Sequence, residues 1–142
     1  MILVDSNVII DMTGDDSRWS EWSMRQVEEL SATRHLIVNE VVVAEVAPSM
    51  GSLDTFRSEM ATLTITHEQL TEEAAFCAGL AFVQYRRKRS SGSAGAKAII
   101  ADFLIGGHAQ VLGASILTRD PRFYQAYFPT VPVIAPSKDD HD

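Results

Sequence analysis

The shape of the hydrophobic runs is the strongest constraint on this chain's fold. Ile2–Val4, His35–Val38, Ser115–Leu117 and Val131–Ile134 are short, largely apolar stretches without apolar–polar alternation. Such runs suit strands buried on both faces, the condition of a parallel sheet. Segments with helical spacing lie between them. Val8–Met12 predicts a short helix, and Ser17 is a candidate cap for a second one running to about Leu30, with Trp19, Trp22 and Val27 on its apolar face. Asn39 should cap a helix over Glu40–Val46 that Pro48 stops, and Leu53–Met60 reads as a further short helix. Leu63–Ile65 is ambiguous between strand and loop. A long helix is expected from about Glu68 to Arg89, with Thr71 near its start, followed by a Ser/Gly-rich break at Ser90–Gly95. Helical spacing resumes over Lys97–Leu112 and ends at Gly113; Pro121 suits the first turn of a helix over Pro121–Tyr127. Alternating strands and helices imply an α/β fold, a central parallel sheet with helices on both faces.

The 142 residues suit one domain, 1–137, with a short acidic tail at 138–142 as the only stretch that reads as disordered. The single cysteine, Cys77, excludes an intramolecular disulfide and a cysteine-rich zinc site, and its apolar setting suggests packing. No basic-then-apolar leader and no bilayer-length apolar run is evident, so the expected location is cytoplasmic, with no membrane partner. The net charge of −7 argues against a protein that coats nucleic acid through overall charge. It leaves room for a nuclease, because two bound divalent cations would bring the total to about −3 and invert the local field.

Four acids stand out. Asp5 directly follows the first strand, and Asp120 follows Ser115–Leu117 by three positions. Ligands bind outside the carboxyl ends of strands in open parallel sheets. An acid after a strand caps a helix or shapes a turn just as readily. Glu45 and Asp102 are more informative, because both sit in strongly apolar helical stretches where a carboxylate is costly to bury unless paired or coordinated. Convergent carboxylates without thiolates or clustered imidazoles suit hard cations, Mg²⁺ or Mn²⁺. The histidines, His35, His67, His108 and His141, are scattered without ligand spacing and read as structural or exposed.

Ile2-Leu3-Val4-Asp5-Ser6-Asn7-Val8-Ile9-Ile10-Asp11 resembles the opening of PIN-domain proteins. Asn39-Glu40-Val41-Val42-Val43-Ala44-Glu45 is similar to their second motif, Ala101-Asp102-Phe103-Leu104-Ile105-Gly106-Gly107-His108-Ala109 to the third, and Leu117-Thr118-Arg119-Asp120-Pro121-Arg122-Phe123-Tyr124 to the fourth. The motifs keep the family's order over nearly the whole chain, and the length resembles the VapC toxin branch. The resemblance implies a Mg²⁺- or Mn²⁺-dependent endoribonuclease, the toxin of a toxin–antitoxin pair, with an RNA substrate, a cognate antitoxin and a homodimeric state. It implies Asp5, Glu45, Asp102 and Asp120 as catalytic metal ligands and Thr118 as a supporting hydroxyl. Asn7 matches a frequent polar position but would also serve as a cap, Asp11 looks peripheral, and Gly107 replaces a common alanine with no expected effect beyond a slightly looser helix. Trp19, Trp22, Val42 and Val46 are candidate dimer contacts.

Arg86, Arg87, Lys88 and Arg89, with Lys97, form the one concentrated basic segment. It reads either as a solvated helix end opposing the helix dipole or as an RNA-backbone contact. Two alternatives compete. A haloacid-dehalogenase-type phosphatase requires a second acid where Asn7 stands, and a receiver domain requires its lysine after Thr118, whereas Lys97 precedes it. A PIN fold that only binds RNA or protein is the remaining alternative, against which the full set of four acids argues.

Overall fold

A computed structural model describes residues 1–14, 18–88 and 96–141, without the side chains of residues 96–99 and 141. Ser17, Arg89 and Ser90–Gly95 therefore lie outside the described residues. Five parallel strands form one sheet in the order β3-β2-β1-β4-β5. They are β1 (Ile2–Val4), β2 (Leu36–Val38), β3 (Ile65–His67), β4 (Ser115–Leu117) and β5 (Val133–Ile134). Consecutive strand residues point to opposite faces. Ile2, Leu3 and Val4 are all fully buried, so helices cover both faces of the central strand, as the unbroken apolar run implies.

The helices are α1 (Ser6–Thr13), α2 (Ser20–Ser31), α3 (Glu40–Met50), α4 (Leu53–Thr62), α5 (Glu72–Lys88), α6 (Ala96–Leu112) and α7 (Arg122–Tyr127). Asn39 caps α3 as expected, its side chain accepting from the Val42 amide at 3.1 Å. Pro48 does not stop that helix. The ring removes only the bond to the Ala44 carbonyl, on an exposed turn open to solvent, and α3 ends three residues later at Gly51, whose φ of 81° suits a glycine cap. The ambiguous Leu63–Ile65 resolves into a helix end followed by β3, with Thr64 left-handed at φ 59° between them. Pro121 is the residue before α7 rather than its first. The acidic tail is ordered through His141: Lys138–His141 forms a 3-10 turn, and Asp140 accepts from the Ser137 amide at 2.7 Å and meets Arg25.

Three of the candidate dimer contacts are internal. Trp22, Val42 and Val46 belong to the monomer core, because the apolar faces of α2 and α3 are needed to cover the sheet. The large apolar side chains left in solvent include Phe76, Leu80 and Val83 on α5 and Val111 on α6.

α5 and α6 pack as an antiparallel pair: Phe82 and Tyr85 meet Phe103, with ring centroids 5.2 and 5.7 Å apart, while Ala74 and Ala78 face Gly107. A methyl group at Gly107 would lie 2.7 Å from the Ala74 carbonyl oxygen and 2.8 Å from the Ala78 nitrogen. Gly107 is therefore a close-approach residue, and not the neutral loosening that its helical position suggested. We expect Gly107→Ala to destabilise the protein by about 1–3 kcal/mol through forced separation of the two backbones. Helix propensity alone predicts a gain of about 1 kcal/mol. Urea unfolding of the two proteins decides between these signs.

Candidate active site

Strand order reverses direction between β1 and β4, which makes the crevice at their carboxyl ends the topological switch point of the sheet. Val4 pairs with Leu117, so Asp5 and Thr118 leave the sheet side by side, and the Asp5 amide donates to the Leu117 carbonyl at 2.9 Å. Asp5 is 5% exposed. Its Oδ1 accepts from the Ser6 amide at 2.8 Å and caps α1; its Oδ2 accepts from the Thr118 hydroxyl at 2.8 Å and the Tyr124 phenol at 3.1 Å. The cap and the site are thus one residue. Burial pushes the Asp5 carboxyl above its usual range, while these donors pull it back.

Thr118 is fully buried and uses its hydroxyl completely. It donates to Asp5 and accepts from Asn7 Nδ2 at 3.2 Å and from the Asp120 amide at 3.1 Å. Asn7 does not cap α1; it bridges the two strand ends, its Oδ1 also accepting from the Arg119 amide at 3.2 Å. Asp11 is not peripheral. It is buried and makes a contact ion pair with the Arg119 guanidinium, tying the loop before exposed Asp120 to α1.

Glu45 and Asp102 arrive from α3 and α6. Glu45 is the more exposed, and its Oε1 accepts from the Ser6 hydroxyl at 3.1 Å, so neighbouring Ser6 atoms serve two acids. Its carboxyl is raised by partial burial and then by the Asp5 charge. Asp102 is half-buried, and burial together with the charges of Asp5, Glu45 and Asp120 pushes its carboxyl up to about 7. Asp102 therefore feels all three other acids: the four predicted residues share one electrostatic volume. Among the described residues, no three His, Cys, Asp or Glu side chains are arranged as a ready-made metal shell. The donor set nonetheless fits a hard cation, because carboxylates that repel one another in a partly dry crevice are relieved by a bound divalent charge.

Two contributors were not foreseen, Ser6 and Tyr124. Ser6 carries a local signal, adjacency to Asp5. Tyr124 closes the fourth motif without an assigned role, because its phenol reaches Asp5 only once α7 packs through Phe123 and Tyr127 against Phe103 of α6.

Arg86, Arg87 and Lys88 are exposed on the last turn of α5, where Arg86 lies 6.0 Å from the Phe82 ring centroid and Lys88 5.6 Å from that of Tyr127. Because Tyr85 faces Phe103 across the antiparallel pair, this basic turn lies beside the part of α6 that carries Asp102. Lys97 is on the first turn of α6, with its side chain outside the described atoms.

The pH dependence follows from Asp102. Between its usual value near 3.8 and about 7 the folded chain holds a proton that the unfolded chain has released, so this group's stabilisation is lost as pH rises. We expect Asp102→Asn to gain stability relative to the parent between pH 5 and pH 8 in the presence of a chelator. Parallel urea titrations that keep a constant gap between the two proteins would contradict the shared-field account.

The PIN domain family matches residues 2–129. No curated protein matches the chain. Among solved structures, a VapBC2 complex from Rickettsia felis bound to a promoter DNA fragment superposes with a TM-score of 0.70 at 15% identity, covering 96% of this chain and 100% of that one. A DNA-bound VapBC from Salmonella typhimurium gives 0.67 at 16% identity, covering 94% and 96%. A sarcin–ricin-loop-cleaving VapC toxin from Mycobacterium tuberculosis gives 0.56 at 12% identity, covering 99% and 93%.

Proposed function

The chain belongs to the PIN-domain family, and on that premise we propose that it is a Mg²⁺- or Mn²⁺-dependent endoribonuclease of the VapC toxin type. The observation that carries this reading is the meeting of Asp5 and Thr118 at the paired ends of β1 and β4, with Glu45 joined to Asp5 through Ser6 and the Asp102 carboxyl raised by burial and by these acids at the switch point of the sheet. These four residues would hold the metal. When bound, the ion supplies a Lewis acid that neutralises phosphate charge and lowers the pKa of a water.

The surrounding side chains orient the ligands. Thr118 and Tyr124 direct one oxygen of Asp5, Ser6 ties Asp5 to Glu45, and the Asp11–Arg119 pair steadies the loop of Asp120. Arg86, Arg87 and Lys88, with Lys97, would bind the RNA backbone beside the acids, adding affinity without reading sequence. A cognate antitoxin and a second copy of the chain are the inferred protein partners, supported by the fold's likeness to toxin–antitoxin complexes and by the exposed apolar side chains Phe76, Leu80 and Val83. Among the described residues no helix is long and apolar enough to cross a membrane.

Asp5→Asn should lower Mn²⁺-dependent cleavage of total RNA by at least about 10–100-fold, the loss typical even for a ligand's supporting partner. Mn²⁺ at about a hundred times its dissociation constant should stabilise the parent by about 2.7 kcal/mol, and Asp5→Asn should lose that gain. Wild-type cleavage and metal stabilisation in Asp5→Asn would sink the reading. Neutralising Arg86, Arg87 and Lys88 should flatten the slope of log affinity against log salt by up to about 2, at about 0.7 per single-strand phosphate contact. An unchanged slope removes the basic turn from the RNA surface.

A further inference from the structure

His108 and Asn39 are both fully buried. Their side chains meet at 3.1 Å between Asn39 Nδ2 and His108 Nδ1, joining the start of α3 to the middle of α6. The bond has a fixed polarity. Asn39 Oδ1 is committed to the Val42 amide, so Nδ2 must donate, Nδ1 of the ring must accept, and the ring proton belongs on Nε2. A protonated ring would set donor against donor here. Burial keeps the ring neutral, aided by His67 and opposed by Glu40, Glu68 and the Gln69 backbone, none of which closes a well-formed bond on Nε2.

A buried amide–imidazole pair costs desolvation that an apolar pair would not. Its placement suggests what that cost secures. Asn39 stands six residues before Glu45 on α3, and His108 six residues after Asp102 on α6. Six helical residues are an arm of about 9 Å. The two arms share one joint, and their far ends carry acids that feel each other's charge. A tilt of about 10° at the joint moves a carboxylate by about 1.5 Å over an arm of that length. An error of about 1 Å is already damaging in a catalytic constellation.

Resting on the metal-dependent nuclease reading above, we propose that Asn39 and His108 are positioning residues, a buried joint that sets Glu45 against Asp102. His108→Leu removes the acceptor at similar volume, Asn39→Ser keeps a capping oxygen but cuts the link, and His108→Gln keeps a carbonyl able to accept from Asn39. Imidazole ¹⁵N NMR of the parent should show Nδ1 unprotonated and Nε2 protonated at pH 7. Mn²⁺ affinity should fall roughly tenfold in His108→Leu and in Asn39→Ser, the low end for residues supporting metal ligands. The double variant should fall no further, kcat should drop with little change in KM, and His108→Gln should recover part of the loss. A protonated Nδ1 would overturn the proposal, as would parent-like Mn²⁺ affinity in His108→Leu alongside a lower urea midpoint. A parent that neither binds Mn²⁺ nor cleaves RNA would instead overturn the nuclease reading. In that event metal-free hydrogen exchange judges the joint: amides of residues 42–46 should exchange about tenfold faster in His108→Leu, and parent-like protection rejects it.

Discussion

The pairing of β1 with β4 is the contact on which the rest of this molecule depends. Residues more than a hundred positions apart become neighbours there, Val4 beside Leu117, and the chain leaves both strands at the same edge. The Asp5 carboxylate and the Thr118 hydroxyl then meet at 2.8 Å without reaching. Because the ladder is buried on both sides, a shift of its register would expose Ile2, Leu3 or Val4 and would carry Asp5 away from Thr118 at once. Fold and site are enforced by one set of apolar contacts.

That enforcement brings like charges together. Asp5 alone is well served, with donors from Ser6, Thr118 and Tyr124 offsetting its burial. Asp102 stands differently: burial and the charges of three carboxylates all raise it. The strain therefore concentrates on one residue, on a helix held in place by tight packing: Gly107 against Ala74 and Ala78, and Phe103 within a ring cluster from α5 and α7. A looser α6 would relieve the repulsion simply by moving. The glycine that seemed a concession in helix propensity is what lets α6 lie this close to α5.

Much of this was legible in the sequence. The two-faced burial of a parallel strand leaves an apolar run, and Ile2–Val4 reads that way directly. The four acids proposed for the site stood out in the sequence, two by strand ends and two by the cost of charge in an apolar helix. What stayed hidden depends on contacts between distant segments. Tyr124 finds Asp5 only after α7 docks, Asp11 finds Arg119 only after β4 lies beside β1, and Gly107 matters only when α5 is beside it. Trp22, Val42 and Val46 are apolar for a reason internal to the monomer, and a helical pattern alone does not distinguish a face that meets the sheet from one that meets a partner. Pro48 misled because its cost falls on an exposed turn, where the carbonyl left without a donor is open to solvent.

The distribution of charge completes the physical picture. With a net charge of −7, the chain repels a polyanion at long range, and four of its acids converge on the crevice at the sheet's switch point. The basic turn Arg86–Lys88 beside the Asp102 helix reverses the field only locally, within about a Debye length of 8–10 Å. A strand of RNA approaching that end of the α5–α6 pair would meet positive charge before it met the acids. On the proposed nuclease reading, a divalent cation would be drawn in by the carboxylates that repel the strand. On the same reading, metal loading and RNA approach would be coupled through one field: the crowding that raises Asp102 would also attract a cation, and its neutralisation would open the crevice to phosphate.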